Sequence, residues 1–201
     1  SPVLIAAHCE DQATIENNTR FYNEQFNGKI PVEYHPLIRT EEACFKSSSL
    51  AVELAQKYRT RLHLLHLSTA KELEMLERYR FQPGKNITAE ACIHHLWFDE
   101  SDYRNYGTRI KWNPAIKTEY DRKALLEGIL THAIDLIGTD HAPHLIEEKD
   151  NTYLKAPSGA PMVQHSLLAM LEFYHSKKLS LNTIVDKMCH APADIFNVSN
   201  R

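Results

Sequence analysis

The chain has 201 residues, 43% hydrophobic and 24% charged, a composition typical of a globular domain and unlike that of a disordered one. Its formal net charge is -3 and it has no basic run, which excludes the usual nucleic-acid binders and favours a small-molecule partner. No apolar run approaches the roughly 20 residues of a membrane span. The first five residues lack a basic n-region, so we expect no signal peptide. Four scattered cysteines predict a reduced, cytoplasmic protein.

The first predicted strand covers residues 3–7, an apolar run that ends at His8. Side chains alternate between the two faces of a strand, so Leu4, Ala6 and His8 share one face. His8 therefore lies at the carboxyl end of this strand. Residues 11–26 then have the spacing of an amphipathic helix, which completes one strand–helix unit.

The second helix follows a loop over residues 29–39 that contains two prolines. Thr40 is followed by two acidic residues, a favourable start for a helix. We predict that Leu50, Leu54 and Tyr58 form its apolar face.

A histidine-rich strand is predicted over residues 62–67. By alternation His66 shares a face with Leu62 and Leu64, at the tip of the strand, and is the better candidate for a ligand. His63 points the other way, and we interpret it as a structural histidine under the helical layer.

The third unit has a helix over residues 70–79, ended by Pro83-Gly84, and a strand over residues 87–93. This strand leads into His94 and His95. Either of these histidines could line the same edge of the sheet or pack as a loop residue on Trp97 or Phe98, and we assign neither to a metal.

The last strand, residues 134–137, leads directly into the motif Gly138-Thr139-Asp140-His141-Ala142-Pro143-His144. By alternation Asp140 shares a face with Leu136 and lies at the strand tip. The turn forced by Pro143 would bring His144 back over the same edge. An isolated Asp-His pair often only caps a turn, but this motif after a buried strand favours an active-site role.

The order of elements predicts a parallel α/β sheet with helical crossovers. A helix over residues 118–130 precedes the last strand, and a charged loop and further helices follow it. About four βα units make half of a (β/α)8 TIM-type barrel, so we read residues 1–201 as a single partial barrel domain. A complete open α/β sheet is the alternative, although no glycine-rich nucleotide-binding turn is present.

His8, His66 and Asp140 come from separate strand tips that would converge at one end of such a barrel. Two imidazoles and a carboxylate suit zinc, and three ligands with a water in the fourth position could form a catalytic site. The alternative is that each histidine is a hydrogen-bonded core residue.

Several motifs together resemble the dihydroorotases, amidohydrolase-superfamily enzymes built on a (β/α) barrel. The resemblance covers nearly the whole chain, and Asp-His-Ala-Pro-His is its most specific part. It implies that the chain is the C-terminal half of the barrel, strands five to eight. The motifs are Ala7-His8-Cys9-Glu10, His63-Leu64-Leu65-His66, Thr88-Ala89-Glu90 with His94-His95-Leu96, Asn113-Pro114 and Asp140-His141-Ala142-Pro143-His144.

The resemblance implies a binuclear zinc site and a reaction of pyrimidine biosynthesis, the interconversion of N-carbamoyl-L-aspartate and L-dihydroorotate. His8 and His66 would bind the second metal, whereas Asp140 would bind the first and shuttle the proton. Substrate binding is implied for Asn113 and His144 and for the Ser158-Gly159 backbone. A homo-oligomer or a transcarbamoylase partner is also implied.

This sequence departs from the family pattern in its metal ligands. It contains no H-x-H, the pair that largely holds the first metal in the family, and no candidate for the bridging acid or carboxylated lysine precedes His8. Cys92-Ile93 stands where a proline is usual, and Lys117 stands where an arginine is common. We therefore expect the chain alone to be inactive.

Three alternatives to a dihydroorotase stay open. The first is a hydantoinase or dihydropyrimidinase, which would act on a related ring. The second is a catalytically silent barrel that serves as an assembly partner. The third is a self-contained α/β protein with structural histidines.

Overall fold

The computed structural model describes residues 3–79 and 85–198. The predictions that involve Ser1, Pro83 and Gly84 lie outside these residues. The strands are β1 (Leu4–Ala7), β2 (Arg61–Leu64), β3 (Ile87–Cys92) and β4 (Leu136–Gly138). The helices are α1 (Gln12–Gln25), α2 (His35–Ile38), α3 (Glu41–Lys57), α4 (Ala70–Leu76), α5 (Ile93–Trp97), α6 (Tyr103–Tyr106), α7 (Glu119–Leu130), α8 (Ile146–Lys149), α9 (Val163–His175), α10 (Leu181–Val185) and α11 (Ala191–Ile195).

The four strands form one parallel sheet in the order β1-β2-β3-β4, with each strand beside the next in the chain. This sequential order with helical crossovers is that of a (β/α) barrel, and the predicted partial barrel is confirmed. The carboxyl ends of all four strands lie at one edge of the sheet, where the predicted site residues follow.

The core lies between the sheet and the helices. The prediction for the buried face of α3 was wrong. The predicted apolar face of α3 is exposed: 55% for Leu50, 43% for Leu54 and 65% for Tyr58. The buried face of α3 instead carries small side chains, including Val52 and Ala55, which pack with Leu62 and Leu64 of β2. Small residues let the helix approach the sheet closely, and periodicity alone did not distinguish the two apolar faces.

Side-chain caps explain where the longer helices begin. Asp11 accepts a hydrogen bond from the Thr14 amide at α1, and Thr40 accepts one from Ala43 at α3. Thr118 and Asp121 form a capping box at α7, and Asp121 also accepts a hydrogen bond of 2.9 Å from the Ala70 amide at α4. The predicted helix start at Thr118 is thus confirmed, and its cap joins two crossover helices.

The predicted loop over residues 29–39 is in part helical, because a 3₁₀ turn over Val32–Tyr34 leads into α2. Buried His35 anchors this segment, with Nδ1 2.9 Å from the Tyr153 hydroxyl and Nε2 2.6 Å from the Trp112 carbonyl. In the described residues no helix is long and apolar enough to cross a membrane, and the four cysteines are free thiols.

Candidate active site

His8 and His66 meet at the carboxyl ends of the neighbouring strands β1 and β2. Nδ1 of His8 lies 2.8 Å from Nε2 of His66, and the two rings are edge to face with centroids 4.7 Å apart. His66 has a left-handed backbone, with φ 36°, so strand alternation does not set its direction. Burial and the charge of His8 lower the pKa of His66, which favours the neutral ring.

Asp140 lies just beyond β4, and its charge acts on His66. Its backbone is also left-handed, with φ 43°, so the alternation with Leu136 used to predict its direction ends at Gly138. After burial and His8, the negative charge of Asp140 acts on the pKa of His66 and opposes its fall. Within residues 3–79 and 85–198 no three or more His, Cys, Asp or Glu side chains are arranged to hold one metal ion. The single three-ligand zinc site therefore stays a prediction.

Glu90 is a site residue that the sequence analysis named in the motif Thr88-Ala89-Glu90 but to which it assigned no role. It is 8% exposed, and its Oε1 accepts a hydrogen bond of 3.3 Å from the His66 amide. A Cβ added to Gly138 would lie only 2.6 Å from the same oxygen, so glycine leaves room for this carboxylate. Glu90 thus links the tips of β2, β3 and β4. A charged residue inside a wholly buried strand was the available signal.

His63 is buried, as the structural interpretation expected, but on the face of β2 opposite to the one that packs on α3, and its ring contacts Phe196 at the end of α11 with centroids 5.5 Å apart. Nδ1 of His63 lies 2.8 Å from the Thr88 hydroxyl, and Nε2 lies 3.1 Å from Oε2 of Glu90. Leu62 and Leu64, which point to the opposite face, are the residues that pack against the helices. His63 therefore lies on the inner face of the partial barrel, where it supports Glu90.

The residues predicted to bind substrate lie close together. The Ser158 hydroxyl donates a hydrogen bond of 3.0 Å to Oδ1 of Asn113, and Nε2 of His144 lies 3.2 Å from the Ser158 carbonyl. Gly159 has φ 121°, and an added Cβ would lie 2.6 Å from the carbonyl oxygen of Ala142. The Asp140 motif and the Ser158-Gly159 segment therefore pack against each other, and only glycine fits at position 159.

Two buried lysines hold the Ser158-Gly159 segment in place. Lys149 Nζ donates to three carbonyl oxygens, those of Lys111, Pro157 and Gly159, at 2.8 to 3.0 Å. Lys111 Nζ donates to the carbonyls of two further residues of the same loop. Burial, with repulsion from a nearby cation, lowers the pKa of each lysine to about 8. The predicted charged loop is thus held by Lys149, which belongs to it, and by Lys111, which reaches it from an earlier part of the chain.

His94 and His95 are both buried, and they lie in helix α5 and not in a loop. The His94 ring stacks on Trp112 with centroids 4.5 Å apart, and neither of its nitrogens has a hydrogen-bond partner among the described residues. Nε2 of His95 lies 3.0 Å from the Pro114 carbonyl. Burial lowers the pKa of His94 well below its usual value and that of His95 to about 3.

These buried histidines should make the fold sensitive to acid. The unfolded chain binds protons below about pH 6.5, whereas the folded chain keeps His95 neutral down to about pH 3, so stability falls as pH drops through this window. Each such histidine contributes a slope of up to about 1.4 kcal/mol per pH unit. We expect the free energy of unfolding, measured with urea on the metal-free chain, to fall between pH 7 and pH 5.

The variant His95→Gln tests the origin of this slope. Glutamine can still donate to the Pro114 carbonyl but does not titrate. The slope should therefore decrease in the variant by up to about 1.4 kcal/mol per pH unit. An identical slope in the two proteins would rule out His95 as a source of the acid sensitivity.

A cavity of about 770 Å³ opens at the other end of the sheet, away from the histidine pair. Its walls include Arg61, Lys85 and Asp135, which lie at or before the amino-terminal ends of β2, β3 and β4. Lys85 forms an ion pair of 2.8 Å with Asp135 there. Because residues at this end of a barrel serve stability more than chemistry, we do not assign the cavity to catalysis.

The fold and these groups define a class of protein. It is part of a parallel (β/α) barrel that carries an imidazole pair, a carboxylate and a polar loop at the carboxyl ends of its strands, where barrel enzymes have their active sites.

Comparison with known proteins identifies the family. No family model matches the chain. The dihydroorotase of Methanosphaera stadtmanae is 32% identical over 197 residues, which cover 98% of this chain and 45% of that protein. The dihydroorotase of Clostridioides difficile is 35% identical over 147 residues, 73% of this chain and 35% of that protein. Among solved structures, the L-hydantoinase (dihydropyrimidinase) of Arthrobacter aurescens superposes with a TM-score of 0.90 at 24% identity, covering 97% of this chain and 44% of that one.

The chain belongs to the dihydroorotase family of amidohydrolases. The similarity to the hydantoinase supports the barrel fold alone. The chain spans less than half the length of the curated relatives that it matches.

Proposed function

We propose that this chain is part of a dihydroorotase, a metal-dependent hydrolase of cyclic amides that interconverts N-carbamoyl-L-aspartate and L-dihydroorotate. The observation that carries the proposal is the meeting of His8 with His66, on which the charge of Asp140 acts, in a chain whose curated relatives are named dihydroorotase. We place the chain at strands five to eight of the barrel.

Zinc is the metal that we propose, and the side chains fit it. Nδ1 of His8 and Nε2 of His66 face each other, and burial favours the neutral form of His66 that ligation requires. His8 and His66 would hold one ion of a binuclear pair and Asp140 the other. A bound zinc ion supplies hydroxide at neutral pH and polarises the amide carbonyl of the substrate.

The chain's own side chains would carry out the proton transfer and hold the substrate. Asp140 would take the proton of the attacking water and give it to the departing ring nitrogen. Asn113, His144 and the Ser158-Gly159 backbone would bind the ring and its carboxylate. Their contacts with one another, together with the Lys149 cation beneath the loop, support this assignment.

The chain alone should not turn over dihydroorotate at an enzyme-like rate, because its sequence contains no H-x-H and no bridging ligand before His8. The measurement is ring opening of dihydroorotate by the purified chain with zinc. Turnover at the rate of a complete dihydroorotase would contradict the assignment of a partial site.

A chimera tests the proposed function itself. This chain would replace the aligned segment of the Methanosphaera stadtmanae dihydroorotase, and turnover of dihydroorotate and dihydrouracil would be compared. We expect activity with a preference for dihydroorotate, since His144 would bind its carboxylate. A preference for dihydrouracil would identify a dihydropyrimidinase, and a folded, zinc-loaded but silent chimera would identify a non-catalytic assembly partner.

The cellular setting follows from the same proposal. The reaction would belong to pyrimidine biosynthesis, and four free thiols suit the reducing cytoplasm. Assembly as a homo-oligomer or with a transcarbamoylase stays a hypothesis that size-exclusion chromatography with and without the transcarbamoylase can test.

A further inference from the structure

Glu10 is a buried carboxylate that contacts the histidine pair from outside. Its side chain is 1% exposed, and its Oε2 lies 3.2 Å from Nε2 of His8. The same oxygen accepts a hydrogen bond from the Arg39 guanidinium. His8 is therefore held between Glu10 at Nε2 and His66 at Nδ1.

Fold stability alone does not explain this arrangement. The adjacent Asp11 caps helix α1, whereas Glu10 caps no described helix, and within the described part of the chain its second oxygen, Oε1, is buried without a hydrogen-bond partner. A carboxylate desolvated in this way lowers the stability of the fold. Its position is therefore better explained by a role of its charge at the histidine pair. Oε2 of Glu10 is bonded to the guanidinium of Arg39, a permanent cation, and this ion pair is the arrangement of an ionised carboxylate.

We propose that Glu10, held by Arg39, is a positioning residue that fixes His8 with its proton on Nε2 and its Nδ1 lone pair turned toward His66. An ionised carboxylate can only accept a hydrogen bond, so the His8 nitrogen next to it must be the donor. Nδ1 of His8 is then the nitrogen without a proton, and it faces His66. This inference rests on the proposed metal site, in which Nδ1 of His8 would be the ligand.

The segment 32–39 positions Arg39 next to Glu10. The 3₁₀ turn and α2 bring Arg39 to Glu10 across 29 positions of the chain, and the buried His35 anchors the segment. Without this cation, the contact with Nε2 of His8 would be the remaining polar contact of the Glu10 carboxylate among the described residues. Arg39 thus fixes the carboxylate, and the carboxylate fixes the imidazole.

Two measurements test the proposal. The first is the tautomer of His8 in the metal-free chain, read from the nitrogen-15 shifts of its imidazole. We expect the proton on Nε2 in the wild type and a mixture of tautomers in Glu10→Ala. The second is zinc affinity by competition with a chelator, which Glu10→Ala should weaken by about 10- to 100-fold, as is typical when the partner of a metal-binding histidine is lost.

The controls separate positioning from folding. Glu10→Gln keeps an oxygen acceptor, so it should retain the His8 tautomer and lose less zinc affinity than Glu10→Ala. It replaces Glu10→Ala as the test variant if that variant does not fold. Glu72 is also buried, at 2% exposure, but its carboxylate accepts a hydrogen bond from Thr69, the N-cap of α4, so Glu72→Gln should lower stability and leave zinc affinity unchanged.

The outcomes also distinguish this inference from the proposed function. A wild-type chain that binds no zinc would refute the metal site, and the tautomer would still decide the role of Glu10. A proton on Nδ1 of His8 in the wild type, or an unchanged zinc affinity in a folded Glu10→Ala chain, would overturn the inference.

Discussion

Replacing Asp140 by asparagine should lower the dihydroorotate turnover of the chimera by about 10²- to 10⁴-fold, the usual contribution of a positioned general base. Asparagine has nearly the same shape but can neither accept the proton of the attacking water nor carry it to the leaving nitrogen. The loss should appear in kcat, measured as ring opening at saturating substrate.

The matched control for this prediction is Asp150→Asn. Asp150 is exposed and forms a bidentate ion pair with Arg109 at 2.7 Å. Its variant should keep the parent kcat. An Asp140→Asn chimera with kcat within about tenfold of the parent would show that another group moves the proton.

Replacing Gly138 by alanine should destabilise the fold by about 1 to 3 kcal/mol, the usual cost of overpacking, because the new methyl group would press on the buried Glu90. The new Cβ would lie 2.6 Å from Oε1 and 2.8 Å from Cδ of Glu90. Glu90 would have to move and give up its contacts with His63 and the His66 amide. Urea unfolding of the chain measures the loss directly.

A double-mutant cycle isolates the cause of this loss. In the Glu90→Ala background the space beside Gly138 is free, so the further change Gly138→Ala should cost little. The same cost in both backgrounds would mean that the backbone conformation at position 138, and not the carboxylate, requires glycine.

Local sequence signals predicted the frame of the fold well. The caps at Thr40 and Thr118 are set by neighbouring residues, and short apolar runs between helices mark the strands. The face of α3 was predicted wrongly because both sides of that helix carry apolar residues. Which side of α3 is buried depends on how closely the helix packs on the sheet. The distance between helix and sheet cannot be read from one sequence.

The candidate site could be predicted only where its residues follow strand ends. His8 and His66 were placed correctly at their strand tips, and the two tips meet because β1 and β2 are neighbours. Glu90 was missed because alternation does not tell which face of a fully buried strand is the inner one. Arg39 was missed because its partner Glu10 is 29 positions away.

The central claim is that the imidazoles of His8 and His66 together hold a metal ion next to Asp140. The most direct test is anomalous diffraction from crystals of the chain grown with zinc. We predict a zinc peak about 2.0 to 2.1 Å from Nδ1 of His8 and from Nε2 of His66, with the Asp140 carboxylate facing the same space. The absence of a zinc peak between His8 and His66 would contradict the claim. So would a His8 ring turned away from His66 while zinc binds elsewhere.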